Sequence, residues 1–307
     1  MSERRKGERD FLGGPETPYS KGLMARALTA VGVGEDASYE LARRTEADLA
    51  QHGEAEVDFD RLRERAIELL GQERGARAVR QLRRFRDLQE LDLPVILLVG
   101  GGTGTGKSTV ATEVAYRLGI TRVTSTDFVR QTMRAFFAKE FMPSIHYSSF
   151  EAGLGLTKAE EEESGDAALL GFLDQTRNVL TGVEAALQRA LDEGWSMVLE
   201  GIHLVPGMIT TELRGALVVH CVLAIRDEEI HRTHFWIRDA TSDGVRPVDR
   251  YIAGLPEIRL IQEYLLERAA RNDVPVIENE SQSDAVDAVM ELVLEQAERA
   301  AQRQVAS

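Results

Sequence analysis

Nine consecutive residues carry the clearest chemistry in the chain: Gly101, Gly102, Thr103, Gly104, Thr105, Gly106, Lys107, Ser108 and Thr109. They contain the phosphate-loop pattern G-x-x-x-x-G-K-[ST], filled by Gly101, Gly106, Lys107 and Ser108. Glycines let a backbone curl until successive N–H groups point at phosphate oxygens. The lysine adds a point charge over the β- and γ-phosphates, and the serine hydroxyl is a natural magnesium ligand. The context agrees. Pro94 to Val99 read as a buried parallel strand, and Ser108 to Leu118 as a helix stopped by Gly119. The pattern therefore implies a bound nucleoside triphosphate.

Two carboxylates stand where such a loop needs them. A short strand near Arg122-Val123-Thr124 runs into Ser125-Thr126-Asp127. Ligands of parallel sheets lie beyond the carboxyl ends of the strands, which brings Asp127 toward the loop. There it can orient or deprotonate an attacking hydroxyl, or hold Mg2+ through water; it can also cap the helix predicted over Phe128 to Lys139. Trp195 to Gly201 reads as an apolar strand finishing in Glu200, placed to order the metal or polarise a nucleophile. Ser108, Asp127 and Glu200 make up the expected metal set. Arg130 and Arg134, at i and i+4 on one helix face, can clamp an anion or simply sit in water. His203 follows Glu200 in a loop that faces either substrate or its own backbone.

The segment Asp227 to Asp239 reads as a helix rich in His231, Arg232, His234 and Arg238, followed by Arg246, Arg250 and Arg259. Phosphoryl transfer spreads negative charge over the group in flight, so an arginine-bearing lid supplies charge while excluding water. A metal site on His231 and His234 is disfavoured, because no third ligand is evident and arginines crowd the pair.

Elements must hold these groups in place. Before Leu91 the periodicity is helical throughout, with Leu23, Ala27 and Val31 on one face and Leu62, Ala66 and Leu69 on another; Asp36 and Asp58 are candidate caps. From Leu93 onward strands alternate with helices, the pattern of an α/β parallel sheet covered on both faces. The expected organisation is a disordered lead-in over 1–16, a helical domain over 17–90 and an α/β domain over 91–307. The long helix expected over Ala168 to Glu193 carries an apolar stripe, and Glu160 to Glu163 reads as a solvated surface loop.

Composition narrows the function. A net charge of −14 over 307 residues argues against nucleic acid as the main ligand. The single cysteine, Cys221, excludes an internal disulfide framework, fits a cytoplasmic protein, and in its apolar strand reads as a packed core thiol. No apolar run is long enough to span a membrane, and the charged start Ser2-Glu3-Arg4-Arg5-Lys6 is unlike a signal peptide.

Together the motifs resemble the 2-phosphoglycerate kinase family from Pro18 to about Leu294. The resemblance rests on Pro18-Tyr19-Ser20-Lys21-Gly22-Leu23, the phosphate loop, Ser125 to Arg130, His146-Tyr147-Ser148-Ser149-Phe150, Glu200-Gly201-Ile202-His203, Arg250-Tyr251 and Ile258 to Gln262. It implies a kinase-type parallel sheet and Mg2+-dependent transfer of phosphate from ATP to the 3-hydroxyl of 2-phosphoglycerate, giving 2,3-bisphosphoglycerate. On that reading Lys107, Asp127, Glu200 and Arg238 are catalytic, while Arg130, Arg134, His146, Ser148, Ser149, His203, Arg250 and Arg259 line the anionic acceptor. The helical N-terminal part also looks like the ATP-cone type of regulatory domain, although Asp10 to Glu16 departs from the basic hairpin that opens a cone. A helical cap or dimerisation module is the alternative there, and oligomeric state is left open.

The residues by themselves specify only a small-molecule kinase architecture. A kinase of another anionic acceptor, such as an inositol phosphate, remains compatible with these arginines. A nucleotide-gated interaction protein and a noncatalytic nucleotide sensor also remain.

Overall fold

Apolar residues recurring at three- and four-residue intervals fold as four helices in the first part of the chain: α1 (Lys21–Ala30), α2 (Glu35–His52), α3 (Phe59–Leu70) and α4 (Gln72–Glu90). The structure is a computed structural model that describes residues 11–14, 17–91, 93–157, 166–241 and 248–306, leaving aside the side chains of 238–241 and 304–306. Local chemistry sets the helix ends. Ser20 Oγ accepts the amide of Leu23, and Asp58 accepts the amides of Asp60 and Arg61 at 2.9 Å. Asp36 is not a cap; Gly34 holds that position and Asp36 sits in the first turn of α2. Met24, Leu28, Leu41, Leu62 and Leu82 are wholly buried. Gly75 of α4 approaches α3 so closely that a Cβ would lie 2.5 Å from the backbone of Ala66.

The chain forms two compact units, Met1–Asp92 with Met290–Ser307 and Leu93–Val289. Two sequence expectations change here. Of the expected disordered lead-in, residues 1–10, 15 and 16 lie outside the described residues. Phe11 and Leu12 are buried, with Phe11 against Phe85 at 6.3 Å and the Leu12 carbonyl accepting the amide of Val57 at 3.0 Å. Two large apolar side chains among the charges were enough to draw that strip into the helical unit. The last residues also belong to this unit rather than to the α/β part: Arg84 pairs with Glu291 and, at 3.0 Å, with Glu298. Among its described residues the unit contains no strand.

The second unit is a five-stranded parallel sheet. In chain order it comprises β1 (Val95–Gly101), α5 (Lys107–Leu118), β2 (Val123–Ser125), α6 (Thr126–Phe136), 3-10 turns at Ser144–His146 and Ser149–Gly155, α7 (Ala167–Asp192), β3 (Met197–Glu200), β4 (Leu217–Ala224), α8 (Glu228–Thr241), α9 (Val248–Ala253), α10 (Leu255–Arg271), β5 (Val276–Glu278) and the start of α11 (Gln282–Ala306), whose residues from Met290 onward belong to the first unit. Glu160 to Glu163 lie outside the described residues. The sheet order is β2-β3-β1-β4-β5, all parallel. All seven residues of β1 are buried, as a strand covered on both faces requires. Ile96 and Leu98, on one face, pack with Val179, Val183 and Leu187 of α7. Val222, on β4, packs with Phe172, Phe235, Ile258, Ile261 and Leu265.

This topology decides where chemistry can happen. The chain leaves β1 toward β2 and β3 on one side and reaches β4 and β5 on the other, and the carboxyl ends flanking that switch form a crevice. In register, Val99 pairs with Glu200, Ser125 with Glu200, Gly101 with Leu223, and Ala224 with Glu278, so all five strand ends meet along one edge.

Replacing Phe11 by alanine removes a large buried ring and is expected to lower the urea unfolding free energy of the helical unit by about 3 kcal/mol or more. Unchanged stability would show that the strip carrying it contributes nothing to the fold.

Candidate active site

The phosphate loop leaves β1 at Gly101 and enters α5 at Lys107, with Gly101, Gly104 and Gly106 at φ of 143°, 87° and 78°. Only glycine adopts these values freely. The loop is also walled in: a Cβ on Gly101 would lie 2.5 Å from the Leu223 carbonyl oxygen, and one on Gly106 would lie 2.4 Å from Asn279 Nδ2. Lys107 Nζ donates to the Gly102 carbonyl at 3.0 Å, curled over its own loop. The Ser108 hydroxyl donates to Glu200 Oε1 at 2.9 Å, and Glu200 is almost completely buried at the end of β3. Hydroxyl and carboxylate thus converge at the start of α5. This donor pair fits Mg2+, a hard cation that keeps most of its waters and takes one or two protein oxygens. Among the described residues no group of three or more His, Cys, Asp or Glu forms a protein-only metal cage.

Asp127 lies on the other side of this pair. It is not the cap of α6; Ser125 Oγ takes that role, accepting the amide of Phe128 at 3.0 Å. The helix ends at Phe136, short of the expected Lys139. Arg130 Nε donates to Asp127 at 3.4 Å. Desolvation opposes the charge on Asp127, but its side chain is still largely open to solvent, and the neighbouring His203, Arg130 and Lys107 hold it below the usual carboxylate range.

The two arginines of α6 have different surroundings. Arg130 is buried, and its Nη1 donates to the carbonyls of Ile145 at 3.0 Å and Tyr147 at 2.7 Å. Arg134 is exposed and pairs with Gln131 at 2.9 Å. A shared anion clamp is therefore not formed: Arg130 is committed to the loop that carries His146, Ser148 and Ser149. His146 donates to the Phe137 carbonyl at 2.9 Å. Ser149, mostly buried, reaches Thr103 of the phosphate loop at 3.5 Å between hydroxyl oxygens. Ser148 accepts from Arg250 Nη2 at 2.9 Å, and Arg250 also pairs with Glu151, whose carboxyl it holds below its ordinary range.

His203 is not at a surface. It is fully buried, and both ring nitrogens are engaged, Nδ1 with Thr126 Oγ1 at 2.8 Å and Nε2 with Gln175 Oε1 at 2.9 Å. The Gln175 oxygen can only accept, so Nε2 carries the proton and the threonine hydroxyl donates to Nδ1. Gln175 passes the connection on through Nε2 to the carbonyls of Ser144 at 2.6 Å and Tyr147 at 3.1 Å. Burial pushes the His203 pKa down to about 3 and keeps the ring neutral. His203 therefore ties the end of β3 to α6 and to the serine-bearing loop, and does not meet an acceptor directly.

On the far side, Arg259 Nη2 donates to the Arg226 carbonyl at 2.8 Å, while its buried Nη1 has no partner among the described residues. Arg238 has its side chain outside the described residues, as does Arg246 altogether. Gln262 pairs through its amide with both backbone groups of Ile225, at 3.2 and 2.9 Å, beside Gly102. Asn279, just past β5, donates to the Thr105 carbonyl at 2.8 Å. Gln175 and Asn279 had no signal in the sequence beyond being polar, and Thr126 lay inside a stretch carrying the family resemblance without being singled out. Gln262 likewise fell inside a stretch carrying the family resemblance. Thr109 is exposed on the first turn of α5. Cys221 is fully buried, its thiol pushed up to about 12 by burial.

A parallel sheet with a phosphate loop at its switch point, a lysine above it and carboxylates at adjacent strand ends define a phosphotransferase of the P-loop kinase type. Comparison with known proteins goes further. The chain is 36% identical over 279 residues to the 2-phosphoglycerate kinase of Methanopyrus kandleri, covering 91% of this chain and 84% of that protein. The same enzyme from Methanococcus vannielii matches at 39% over 282 residues, with 91% and 89% covered, and that from Pyrococcus furiosus at 35% over 288, with 94% and 92% covered. The chain belongs to the 2-phosphoglycerate kinase family. No protein-family model matches it. Among solved structures, a putative kinase from Chloroflexus aurantiacus J-10-fl aligns over 66% of this chain and 98% of its own at 12% identity, with a TM-score of 0.31, too distant to bear on the argument. No helix among the described residues is long and apolar enough to cross a membrane.

Because His203 is neutral when folded and free to charge when unfolded, its contribution to stability is present above pH ~6.5 and is lost as pH falls toward about 3. Between pH 7.5 and 5 it should account for about 2 kcal/mol of lost stability. A His203→Asn variant, measured by urea unfolding at both pH values, should show a correspondingly shallower decline. An identical decline would mean that His203 is not the titrating group.

Proposed function

We propose that this enzyme transfers the γ-phosphoryl group of ATP to the 3-hydroxyl of 2-phosphoglycerate, giving 2,3-bisphosphoglycerate, with Mg2+ as the metal. Family membership supports the acceptor. The observation that carries the reading is the convergence, at one crevice, of the Ser108–Glu200 pair, Lys107, Asp127 and the loop bearing Ser148 and Ser149.

Each residue then has a physical task. Loop amides from Gly102 to Thr109 bind the triphosphate, and Lys107 swings from the Gly102 carbonyl onto the β/γ-phosphates, where negative charge grows. Ser108 and Glu200 would hold Mg2+, which when bound would supply further charge neutralisation on those phosphates. Asp127, an exposed carboxylate that is ionised at neutral pH, accepts a hydrogen bond from the 3-hydroxyl and aligns it for in-line attack. The acceptor carries a carboxylate and a phosphate, which Arg250, exchanging Glu151 for the acceptor, would bind together with Ser148 and Ser149, with Arg134 and His146 at the outer edge. Arg130 and His203 act one step back, by fixing the loop. Arg259 reaches a phosphoryl oxygen through its unpartnered Nη1, and Arg238 adds lid charge.

Phosphorus NMR of the protein with ATP, Mg2+ and a panel of 2-phosphoglycerate, 3-phosphoglycerate, glycerol phosphates and inositol phosphates tests the reading. Bisphosphoglycerate signals with 2-phosphoglycerate alone are expected. Turnover of another acceptor instead would remove the named substrate, and ATP binding without transfer would move the protein to the sensor class. Lys107→Ala should lower kcat/KM by roughly 100-fold or more. Asp127→Asn should lower kcat by roughly 100-fold while leaving KM for ATP within a factor of about two. Wild-type turnover by either variant would sink the assigned role.

A further inference from the structure

The phosphate loop is held from outside by side chains on two different elements. The Thr103 carbonyl accepts from His231 Nε2 of α8 at 2.8 Å, and the Thr105 carbonyl accepts from Asn279 Nδ2, beyond β5, at 2.8 Å. The Gly104 carbonyl between them meets His234 Nδ1 at 3.2 Å, and the Gly102 carbonyl accepts from Thr105 Oγ1 at 2.9 Å. A carbonyl can only accept, so the His231 proton is on Nε2.

In a planar trans peptide the N–H of the next residue points opposite to the C=O. Fixing the oxygens of Thr103 and Thr105 on the His231 and Asn279 sides therefore turns the amides of Gly104 and Gly106 the other way. Those two amides have no acceptor among the described residues. They are the backbone donors a phosphate would take.

His231 and Asn279 look chosen for this one bond. Both are buried, His231 completely and Asn279 to within 2%. Each leaves its other polar atom, His231 Nδ1 and Asn279 Oδ1, buried without a partner among the described residues. An apolar side chain in either place would avoid the cost of burying an unpaired polar atom. His231 also stacks on Phe235 at 5.2 Å, and Phe235 stacks on Tyr251 at 5.3 Å, so the ring has little freedom to turn away. The Phe235 ring in turn closes the space at Gly104, where a Cβ would lie 2.5 Å from its edge.

We propose that His231 and Asn279 are positioning residues that pin the phosphate loop from two sides with its amides already turned toward the triphosphate site. The role rests on the loop binding ATP, as argued above, and deepens that reading: neither residue touches nucleotide, and both remove the ordering cost that binding would otherwise carry.

The test compares His231→Phe, which keeps the stacked ring and deletes the donor, with His231→Gln, which restores an N–H at similar reach. Asn279→Ala tests the opposite side and serves if His231→Phe does not fold. Calorimetric Kd and steady-state KM for Mg·ATP should rise roughly 3- to 10-fold in His231→Phe and in Asn279→Ala. KM for the acceptor should stay within about twofold, and His231→Gln should recover most of the loss. Equal ATP affinity in folded His231→Phe and wild type would overturn the proposal, as would a rise in both KM values together. A ligand-free readout separates this idea from the nucleotide assignment. NMR order parameters of the Gly104 and Gly106 amides should be those of rigid backbone in the wild type and should fall in His231→Phe. If they fall while the wild type binds no ATP, the pinning stands and the ATP reading fails; if they do not change, the pinning is wrong whatever the ligand.

Discussion

A phosphate loop must present several backbone N–H groups to one small volume, and no side chain can stand in the way. Most features of the second unit follow from that constraint. Gly101, Gly104 and Gly106 take positive φ because the curl demands it, and their missing Cβ atoms make room for the Leu223 carbonyl, Phe235 and Asn279. Those neighbours come from β4, α8 and the residue after β5. The loop can keep its shape only if the sheet brings the ends of β1, β4 and β5 into register. The hydrophobic packing of Ile96, Leu98 and Val222 is what holds that register, so core burial and loop shape are one problem solved together.

The acceptor side is built by a different physical means. Its loop at 144–149 is built from short 3-10 turns, and buried polar groups fix it. Arg130 and Gln175 donate to the carbonyls of Ser144, Ile145 and Tyr147, and His203 links Gln175 to Thr126. Each donor is matched to an acceptor, which is the condition under which buried polar groups rigidify a site and do not weaken it. The neutral state of His203 belongs to this arrangement: a charged ring would have to donate from both nitrogens, and Nδ1 could no longer accept from Thr126.

The arginines show where residue type stops being informative. Arg130 and Arg134 share a helix face four residues apart, yet one is buried against backbone carbonyls and the other is in water. Arg250 is neutralised by Glu151, and Arg259 keeps one nitrogen without a partner among the described residues. A guanidinium carries the same charge in all four places. What it can do for a phosphate depends on which acceptors have already engaged it, and for Arg130 and Arg250 these include residues 15 to about 100 positions away.

By itself the chain's order of residues determined the phosphate loop, the strand before it and the helix after it. It also determined the alternation that makes a parallel sheet and the acids at the ends of β2 and β3. All of these are local: a period, a turn requirement, or a residue type at a strand end. The bounds of the elements it named followed to within a few residues, apart from the shortened α6. Tertiary structure alone decided the rest. Phe11 and Leu12 join the helical unit because partners distant in sequence bury them. Ser125 and not Asp127 caps α6, His203 is enclosed, and Gln175, Gln262, His231 and Asn279 become the braces of the site. A hydrogen bond between residues a hundred positions apart leaves no periodic trace, since either partner alone is an ordinary polar residue; only the folded sheet gives the pair its meaning.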